Sequence, residues 1–142
     1  MNFQLRHQAW GLAVASVGFV AYWVVIIIRA ARDDVSFTHV AWQHPLLWLL
    51  GAGAAVYLAV YGASYWSTRG TIRTDERDAE IARRADAAGS GMPTLGALVA
   101  LVMLALGVEA FWVAHTIFVS SFLGTMTSVG LSIAAYEEGL DS

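Results

Sequence analysis

Long runs of residues without a charge constrain this chain more than any other feature. Ala9–Ile28 holds twenty such residues and Pro45–Trp66 holds twenty-two, and a third apolar run, Thr94–Tyr136, contains a single acidic residue, Glu109. A helix needs about twenty apolar residues to cross the hydrocarbon core of a bilayer. A chain of 142 residues is too short to bury so much apolar surface in a soluble core. The sequence therefore predicts an all-α, polytopic membrane protein.

The last apolar run must fold back on itself. Its 43 residues, Thr94–Tyr136, would measure about 64 Å as one helix, whereas a bilayer core is about 30 Å thick. We expect the turn between Gly107 and Thr116. The whole chain, 1–142, then forms one domain of four transmembrane helices, at about 9–29, 45–66, 93–110 and 116–136.

The polar segment between the second and third spans has the pattern of a short helix. Thr74 is a suitable cap, and the acidic residues that follow it suit the positive end of a helix. Arg83 and Arg84 lie toward the negative end, and Gly89–Pro93 interrupts the helical pattern. We therefore expect a separate cytoplasmic helix over about 74–88.

The distribution of arginine predicts the orientation. Short loops rich in arginine stay in the cytoplasm, and acidic residues contribute little to this rule. One side of the predicted topology carries six arginines and the other carries only Arg29 and Arg32. We therefore expect both termini and the segment 67–91 in the cytoplasm, and the loop 29–44 and the turn 109–115 outside. The six arginines are Arg6, Arg69, Arg73, Arg77, Arg83 and Arg84.

Two of the predicted spans carry a ladder of small residues at four-residue spacing. Small residues let helix backbones approach closely in lipid, where the hydrophobic effect does not draw helices together. We expect each ladder to pack against a neighbouring helix, or the two against each other. A homodimer would use the same faces, and small residues are also simply common in membrane helices. The ladders are Gly51, Ala55, Ala59 and Ala63 in the second span, and Ser120, Gly124, Ser128 and Ser132 in the last.

The charged residues of the polar segment have two interpretations. They form a docking surface for a cytoplasmic partner, or they are the solvated face of a well-capped helix, which is the usual role of such a run. Glu80 and Arg84, four residues apart, are expected to form an ion pair on that helix. The candidate docking residues are Asp75, Glu76, Arg77, Asp78, Arg83 and Arg84.

A family resemblance rests on the same segment. Asp75-Glu76-Arg77-Asp78 is followed by Glu80-Ile81 and by Arg83-Arg84-Ala85, and a hydrophobic hairpin comes next. This arrangement, with Phe111-Trp112 before the last span, resembles an uncharacterised family of small prokaryotic membrane proteins, a domain of unknown function with a DERD-type run before a C-terminal hydrophobic hairpin. The likeness covers about the C-terminal half, and the Gly89–Pro93 interruption departs from it. It implies a four-helix protein of a prokaryotic plasma membrane and supplies no catalytic residues.

The sequence offers few residues suited to a catalytic, metal or cofactor site. The chain has no cysteine, so thiolate metal sites and disulfides are excluded, and a net charge of −3 gives no reason to expect nucleic acid as a partner. All four histidines fall in loops or at span ends, where they cannot ligate a haem inside a bundle. Their spacing to Asp33, Asp34 and Glu109 matches no zinc pattern. We expect no metal, no cofactor and no enzymatic activity.

The predicted function is structural or interaction-based: an accessory subunit or a partner-binding membrane protein. Its expected partners are the lipid bilayer and either a homo-oligomer or a larger membrane complex. The alternative is a small transporter or channel-like oligomer that uses Glu109, with His115 as the second polar candidate, since ionisable residues at membrane depth are costly and usually functional. Small multidrug transporters are similar in length but need a carboxylate in the first span, and Ala9–Ile28 has none.

Overall fold

The computed structural model describes residues 3–67 and 76–138, and these residues are helical except for short connections. Four α-helices follow one another: α1 (Phe3–Asp33), α2 (Gln43–Ser67), α3 (Glu76–Ala105) and α4 (Ala110–Glu138). A short 3₁₀ turn, Phe37–His39, lies between α1 and α2. There is no strand within the described ranges, so the predicted all-α class is confirmed.

Each of the four helices contains a segment long and apolar enough to cross a membrane. In each case no more than 17% of the apolar window is buried inside the chain. A helix of a soluble protein turns its apolar stripe toward a core, whereas here most of the apolar surface faces outward and is suited to lipid. The four segments are Trp10–Asp33, Gln43–Val60, Arg83–Ala105 and Ala110–Ala135.

The chain divides into two compact units, one formed by Gly18–Asp75 and the other by Met1–Val17 together with Glu76–Ser142. The second unit contains the closest helix packing in the described structure, where α3 and α4 lie against each other as an antiparallel hairpin. The connection between the two helices is only four residues long, from 106 to 109. A short connection of this kind makes consecutive helices antiparallel neighbours.

The hairpin turn is a Schellman motif at the end of α3. Gly107 has a φ of +72°, which is the left-handed conformation that glycine adopts without a Cβ clash. Its N–H donates to the carbonyl of Leu104 (3.1 Å), and the N–H of Val108 donates to the carbonyl of Met103 (2.9 Å). These two hydrogen bonds satisfy carbonyl groups that the helix end would leave without a partner.

The turn therefore begins one residue before the interval in which it was expected, and α4 is longer than expected. The last span was predicted at 116–136, whereas α4 begins at Ala110. Trp112 and His115, which fall within the interval predicted for the turn, lie inside the first turns of α4. A single glycine, Gly107, ends α3, and no second turn-forming residue accompanies it in the sequence.

The prediction of a separate cytoplasmic helix over 74–88 is wrong. α3 runs from Glu76 to Ala105 without interruption, so residues 76–88 are the first part of the third long helix, and Thr74 lies outside the described residues. The pattern suggested a helix end at Gly89–Pro93 because glycine costs about 1 kcal/mol and proline about 3 kcal/mol relative to alanine inside a helix. In a membrane such residues are tolerated, because neighbouring helices and hydroxyl side chains satisfy the freed backbone groups.

In the first unit, the connection between α1 and α2 is shorter than the predicted loop, 29–44. α1 continues to Asp33 and ends where Asp34 adopts a positive φ of 49°, a conformation that aspartate tolerates better than most residues. The guanidinium of Arg29 donates a hydrogen bond of 3.0 Å to the carbonyl of Ala41. This bond holds the far end of the connection against the last turn of α1.

Candidate functional site

The ladder on α4 lies against α3. At its centre Gly124 faces Gly89: a Cβ built on Gly124 would lie 2.6 Å from the carbonyl oxygen of Gly89, and a Cβ built on Gly89 would lie 2.6 Å from the carbonyl oxygen of Gly124. Real Cβ atoms do not approach backbone oxygen so closely, so only glycine fits at either position. The two backbones approach in the manner of small-residue packing between membrane helices.

The serines of the same ladder continue this contact in both directions along the hairpin. A Cβ on Gly96 would overlap the side chain of Ser120. The hydroxyl of Ser128 donates a 2.7 Å hydrogen bond to a carboxylate oxygen of Asp86. Ser132, the last member of the ladder, is 3% exposed. We call this contact, formed by Asp86, Gly89, Pro93 and Gly96 of α3 with Ser120, Gly124 and Ser128 of α4, the hairpin interface.

The α3 half of the hairpin interface is absent from the candidate site residues of the sequence analysis. Gly89 and Gly96 are seven residues apart, which is two helical turns, and Pro93 lies between them on the same side. Seven-residue spacing of two glycines is the signal that points to this face. Gly89 and Pro93 also match the pattern of a helix break, so the sequence predicts a helix end at this place instead of a packing face.

The ladder on α2 has a different environment. Gly51 has no atom within 4 Å of the position of an added Cβ. The other three members, Ala55, Ala59 and Ala63, are exposed in the described structure. The second predicted packing face is therefore an open surface of small residues.

The charged part of α3 presents an ion-pair network to solvent. Glu80 accepts a hydrogen bond of 2.7 Å from Nε of Arg84 and lies 3.0 Å from Nη2 of Arg83. The guanidinium of Arg84, assisted by the charge of Arg83, lowers the pKa of the Glu80 carboxyl below its usual value. Both arginine side chains are exposed. The expected pair of Glu80 with Arg84 is present, and we call residues 76–88 the charged segment.

The structure describes less of the other candidate docking residues. Asp75 lies outside the described residues. Glu76, Arg77 and Asp78 form the first turn of α3, and only their backbone is described.

Glu109 lies at the hairpin turn and is exposed. Its backbone carbonyl accepts hydrogen bonds from the N–H groups of Trp112 (3.0 Å) and Val113 (3.4 Å), so it occupies the cap position at the start of α4. The carboxylate is therefore outside the helical part of the last span, at the end of the hairpin.

His115 was expected in the turn but lies in the second turn of α4, where it is 3% exposed. Its Nδ1–H donates a hydrogen bond of 2.6 Å to the carbonyl of Phe111, because a carbonyl can only accept. The imidazole also stacks on the Phe111 ring, with ring centroids 4.0 Å apart. In the described part of the chain, no fully buried side-chain nitrogen or oxygen lacks a hydrogen-bond partner. His115 is thus integrated into α4 by its neighbour four residues earlier.

The acidic and imidazole groups of the turns do not gather into a metal site among residues 3–67 and 76–138: no three of them lie together. His39 is instead bound locally, with the hydroxyl of Ser36 at 2.7 Å and that of Thr38 at 3.1 Å from its Nδ1. This arrangement stabilises the 3₁₀ turn and resembles the local hydroxyl bonds that commonly fix short turns.

The fold defines the class of protein: an all-α chain with four helices able to cross a membrane, and hence a multi-pass membrane protein. Comparisons with known protein families, with curated proteins and with solved structures find no match for this chain. The resemblance of the segment 75–85 to a family of small prokaryotic membrane proteins therefore stays a prediction.

Proposed function

We propose that this chain is a membrane protein of structural or interaction type, an accessory subunit or partner-binding component of a larger membrane assembly. The observation that carries this proposal is that α3 extends beyond its membrane-crossing segment, Arg83–Ala105, as a stretch of charged residues. The 30 residues of α3 measure about 45 Å, whereas a bilayer core is about 30 Å thick. The excess lies at the start of the helix, where the charged segment begins. A helix that continues from the membrane as a charged rod offers a rigid surface to a second protein.

The chemistry of the spans supports the same proposal. The run Ala9–Ile28 contains no Asp, Glu, Lys, Arg or His. The one carboxylate of the C-terminal apolar run, Glu109, is exposed at the hairpin turn. A proton-coupled transporter needs an ionisable group along the pathway at membrane depth. The alternative, a small transporter or channel-like oligomer that uses Glu109, has correspondingly less support.

The proposed location is the plasma membrane of a prokaryote, with both termini and the charged segment in the cytoplasm. The support for this orientation is the count of six arginines on one side against two on the other. The same orientation gives the charged segment access to cytoplasmic domains of partner proteins.

Site-specific photo-crosslinking in native membranes tests the proposal. A photoreactive amino acid replaces Arg84 in the charged segment, and a matched variant carries it at Leu98, which is exposed on the apolar part of the same helix. We expect position 84 to capture one defined protein and position 98 to react mainly with lipid. The charge exchange Glu80→Arg with Arg83→Glu leaves the photoreactive residue in place and keeps the net charge and an ion pair three residues apart, so loss of the captured protein in that variant identifies recognition of the charge pattern.

The substitution Glu109→Gln separates the two functions. The proposed role predicts that the captured protein and any ion or drug flux of vesicles containing the chain are unchanged. A flux that depends on Glu109, together with no captured protein at position 84, would replace the proposal with the transporter alternative.

A further inference from the structure

The part of α3 between Gly89 and Pro93 lacks one of the backbone hydrogen bonds of a regular helix. Pro93 has no N–H, so the carbonyl of Gly89, four residues earlier, receives no helical hydrogen bond from it. Gly91 has open space around its Cα and adds no side chain that would stiffen the turn. Two hydroxyl groups bond to other carbonyls of this stretch: Ser90 donates to the carbonyl of Ala87, and Thr94 donates to the carbonyl of Ser90, both at 2.9 Å.

The carbonyl of Gly89 is directed toward α4. It lies 2.6 Å from the position that a Cβ of Gly124 would occupy, on the side where glycine carries a hydrogen. The carbonyl of Gly124 has the same relation to Gly89. Cα–H groups form weak hydrogen bonds to carbonyl oxygen at close helix contacts, so α4 supplies the freed carbonyl with a partner that α3 itself cannot supply.

Beyond this contact, a side-chain hydrogen bond between described residues joins the charged segment to α4. The carboxylate of Asp86 accepts the hydroxyl hydrogen of Ser128 at 2.7 Å. One turn before Gly89, Ala85 is 4% exposed, and one turn after Ser128, Ser132 is 3% exposed. Gly89 contacts Ser128, and the two helices are antiparallel. Ala85 and Ser132, each one turn farther from the hairpin turn, therefore lie opposite each other.

The half of the hairpin next to the turn has no comparable gap in the backbone hydrogen bonds of α3. Residues 97–105 of α3 contain neither glycine nor proline. They end in the hydrogen-bonded turn at Gly107. Thr116 of α4 contacts the sulfur of Met103 at 3.4 Å. We therefore expect any bending of α3 to occur around Pro93.

We propose that Gly89–Pro93 is a hinge in α3, and that the hydrogen bond between Ser128 and Asp86 is the latch that holds the charged segment against α4. When the latch is intact the charged segment continues the membrane helix as one rod. When it is released the segment bends away from α4 about Pro93, while residues 94–105 stay packed. The hinge does not depend on the proposed function, but in a partner-binding protein it would set where the charged segment can reach.

Distance measurements between spin labels test the hinge, and the absence of cysteine from the chain allows labels at chosen positions only. One pair replaces Arg83 and Ala134, across the charged segment and the end of α4; Glu80 keeps its contact with Arg84 in this background. A control pair replaces Leu98 and Ile117, both exposed on the membrane half of the hairpin. Both pairs are measured by double electron–electron resonance in the full chain, reconstituted in lipid nanodiscs.

Removal of the latch is the first comparison. With Ser128→Ala we expect the distance distribution of the first pair to broaden toward longer values, while the control pair stays the same. A bend of about 20° at Pro93, acting over about 15 Å of helix, moves position 83 by about 5 Å. Asp86→Asn keeps an oxygen that can accept the Ser128 hydroxyl, so it is expected to preserve the original distribution.

Removal of the hinge is the second comparison. Pro93→Ala restores the N–H that can bond to the carbonyl of Gly89, so Ser128→Ala combined with Pro93→Ala should return the first pair to a narrow distribution. The proposal is overturned if Ser128→Ala leaves the first pair unchanged, if both pairs lengthen together, or if Pro93→Ala fails to narrow the distribution. Far-ultraviolet circular dichroism confirms that each variant retains its helices.

Discussion

The two ladders of small residues differ in what they do, although their sequence patterns are alike. On α4, Gly124 and its serine neighbours lie in direct contact with α3. On α2, the space around Gly51 is open. Small residues permit close approach of backbones in lipid but do not by themselves create a contact.

The difference lies in what each ladder faces. The α4 ladder has a partner with glycines of its own, Gly89 and Gly96, and a four-residue connection keeps the two helices together. A contact between consecutive helices costs little chain entropy, because the connecting loop is short. A small-residue ladder of this chain is thus packed where it meets a complementary face on a tethered neighbour.

The largest expected effect is at the centre of the hairpin interface. Gly89→Ala places a methyl group against the backbone oxygen of Gly124, and such overpacking costs about 1–3 kcal/mol. Gly91→Ala is the matched control in the same helix, because its surroundings are open; it should leave the free energy of unfolding unchanged or raise it by up to about 1 kcal/mol. Reversible unfolding in mixed micelles measures both. Equal responses of the two variants would contradict the assignment of the interface.

The next largest loss in the free energy of unfolding is expected at the hairpin turn. Gly107→Ala puts a Cβ into a left-handed conformation, which costs about 1–2 kcal/mol. Gly130→Ala, in an open position inside α4, is the control and should be neutral or slightly stabilising. The same unfolding measurement applies, and a tolerated Gly107→Ala would show that the Schellman turn is not needed to close the hairpin.

A smaller effect is expected on the α2 ladder. Gly51→Ala adds a methyl group to open space inside α2, so we expect no loss in the free energy of unfolding and a gain of up to about 1 kcal/mol, as for Gly91→Ala. Unfolding and the oligomeric state in detergent, measured by light scattering, check this expectation. A loss as large as that at Gly89, or dissociation of an oligomer, would show that the α2 ladder is also a packed face and would remove the contrast between the two regions.

The smallest effect concerns the charged segment. The pKa of Glu80 is lowered from its ordinary value of 4.5 by the hydrogen bond and charge of Arg84. The pair therefore stabilises the start of α3 at pH values above 4.5, and this contribution is lost as the pH falls through the lowered value. The protection of the amides of residues 80–84 from hydrogen exchange, relative to an unfolded peptide at the same pH, measures this contribution at neutral and at acid pH. Glu80→Gln should remove the pH dependence of that protection, and an identical pH profile of protection in both proteins would refute the role of the pair.

The class of fold could be predicted from the sequence because runs such as Ala9–Ile28 admit few alternatives. The continuity of α3 could not. At Gly89–Pro93 the local propensity favours a break, and the contact with Gly124 outweighs it. Tertiary contacts routinely override propensity in this way. The turn lies at the start of the interval predicted for it, because the single glycine Gly107 forms a complete helix end without a second signal in the sequence.

The candidate site was predictable on one helix only. The spacing of Ser120, Gly124 and Ser128 marks a face of α4, but its partner depends on the register of the hairpin, which no local pattern encodes. Asp86 illustrates this limit. It reads as one more charge of the polar segment, yet it bonds to Ser128, forty-two residues later in the chain.

The most direct test of the account is the sidedness of the connections. Single cysteines at Asp34, Ser67, Leu106 and Glu138 are probed in intact cells with a thiol reagent that does not cross membranes. Four crossings place Asp34 and Leu106 on one side of the bilayer and Ser67 and Glu138, the last residues of α2 and α4, on the other, so that one pair reacts and the other reacts only after permeabilisation. Equal labelling of all four positions in intact cells would contradict a chain that crosses the membrane four times.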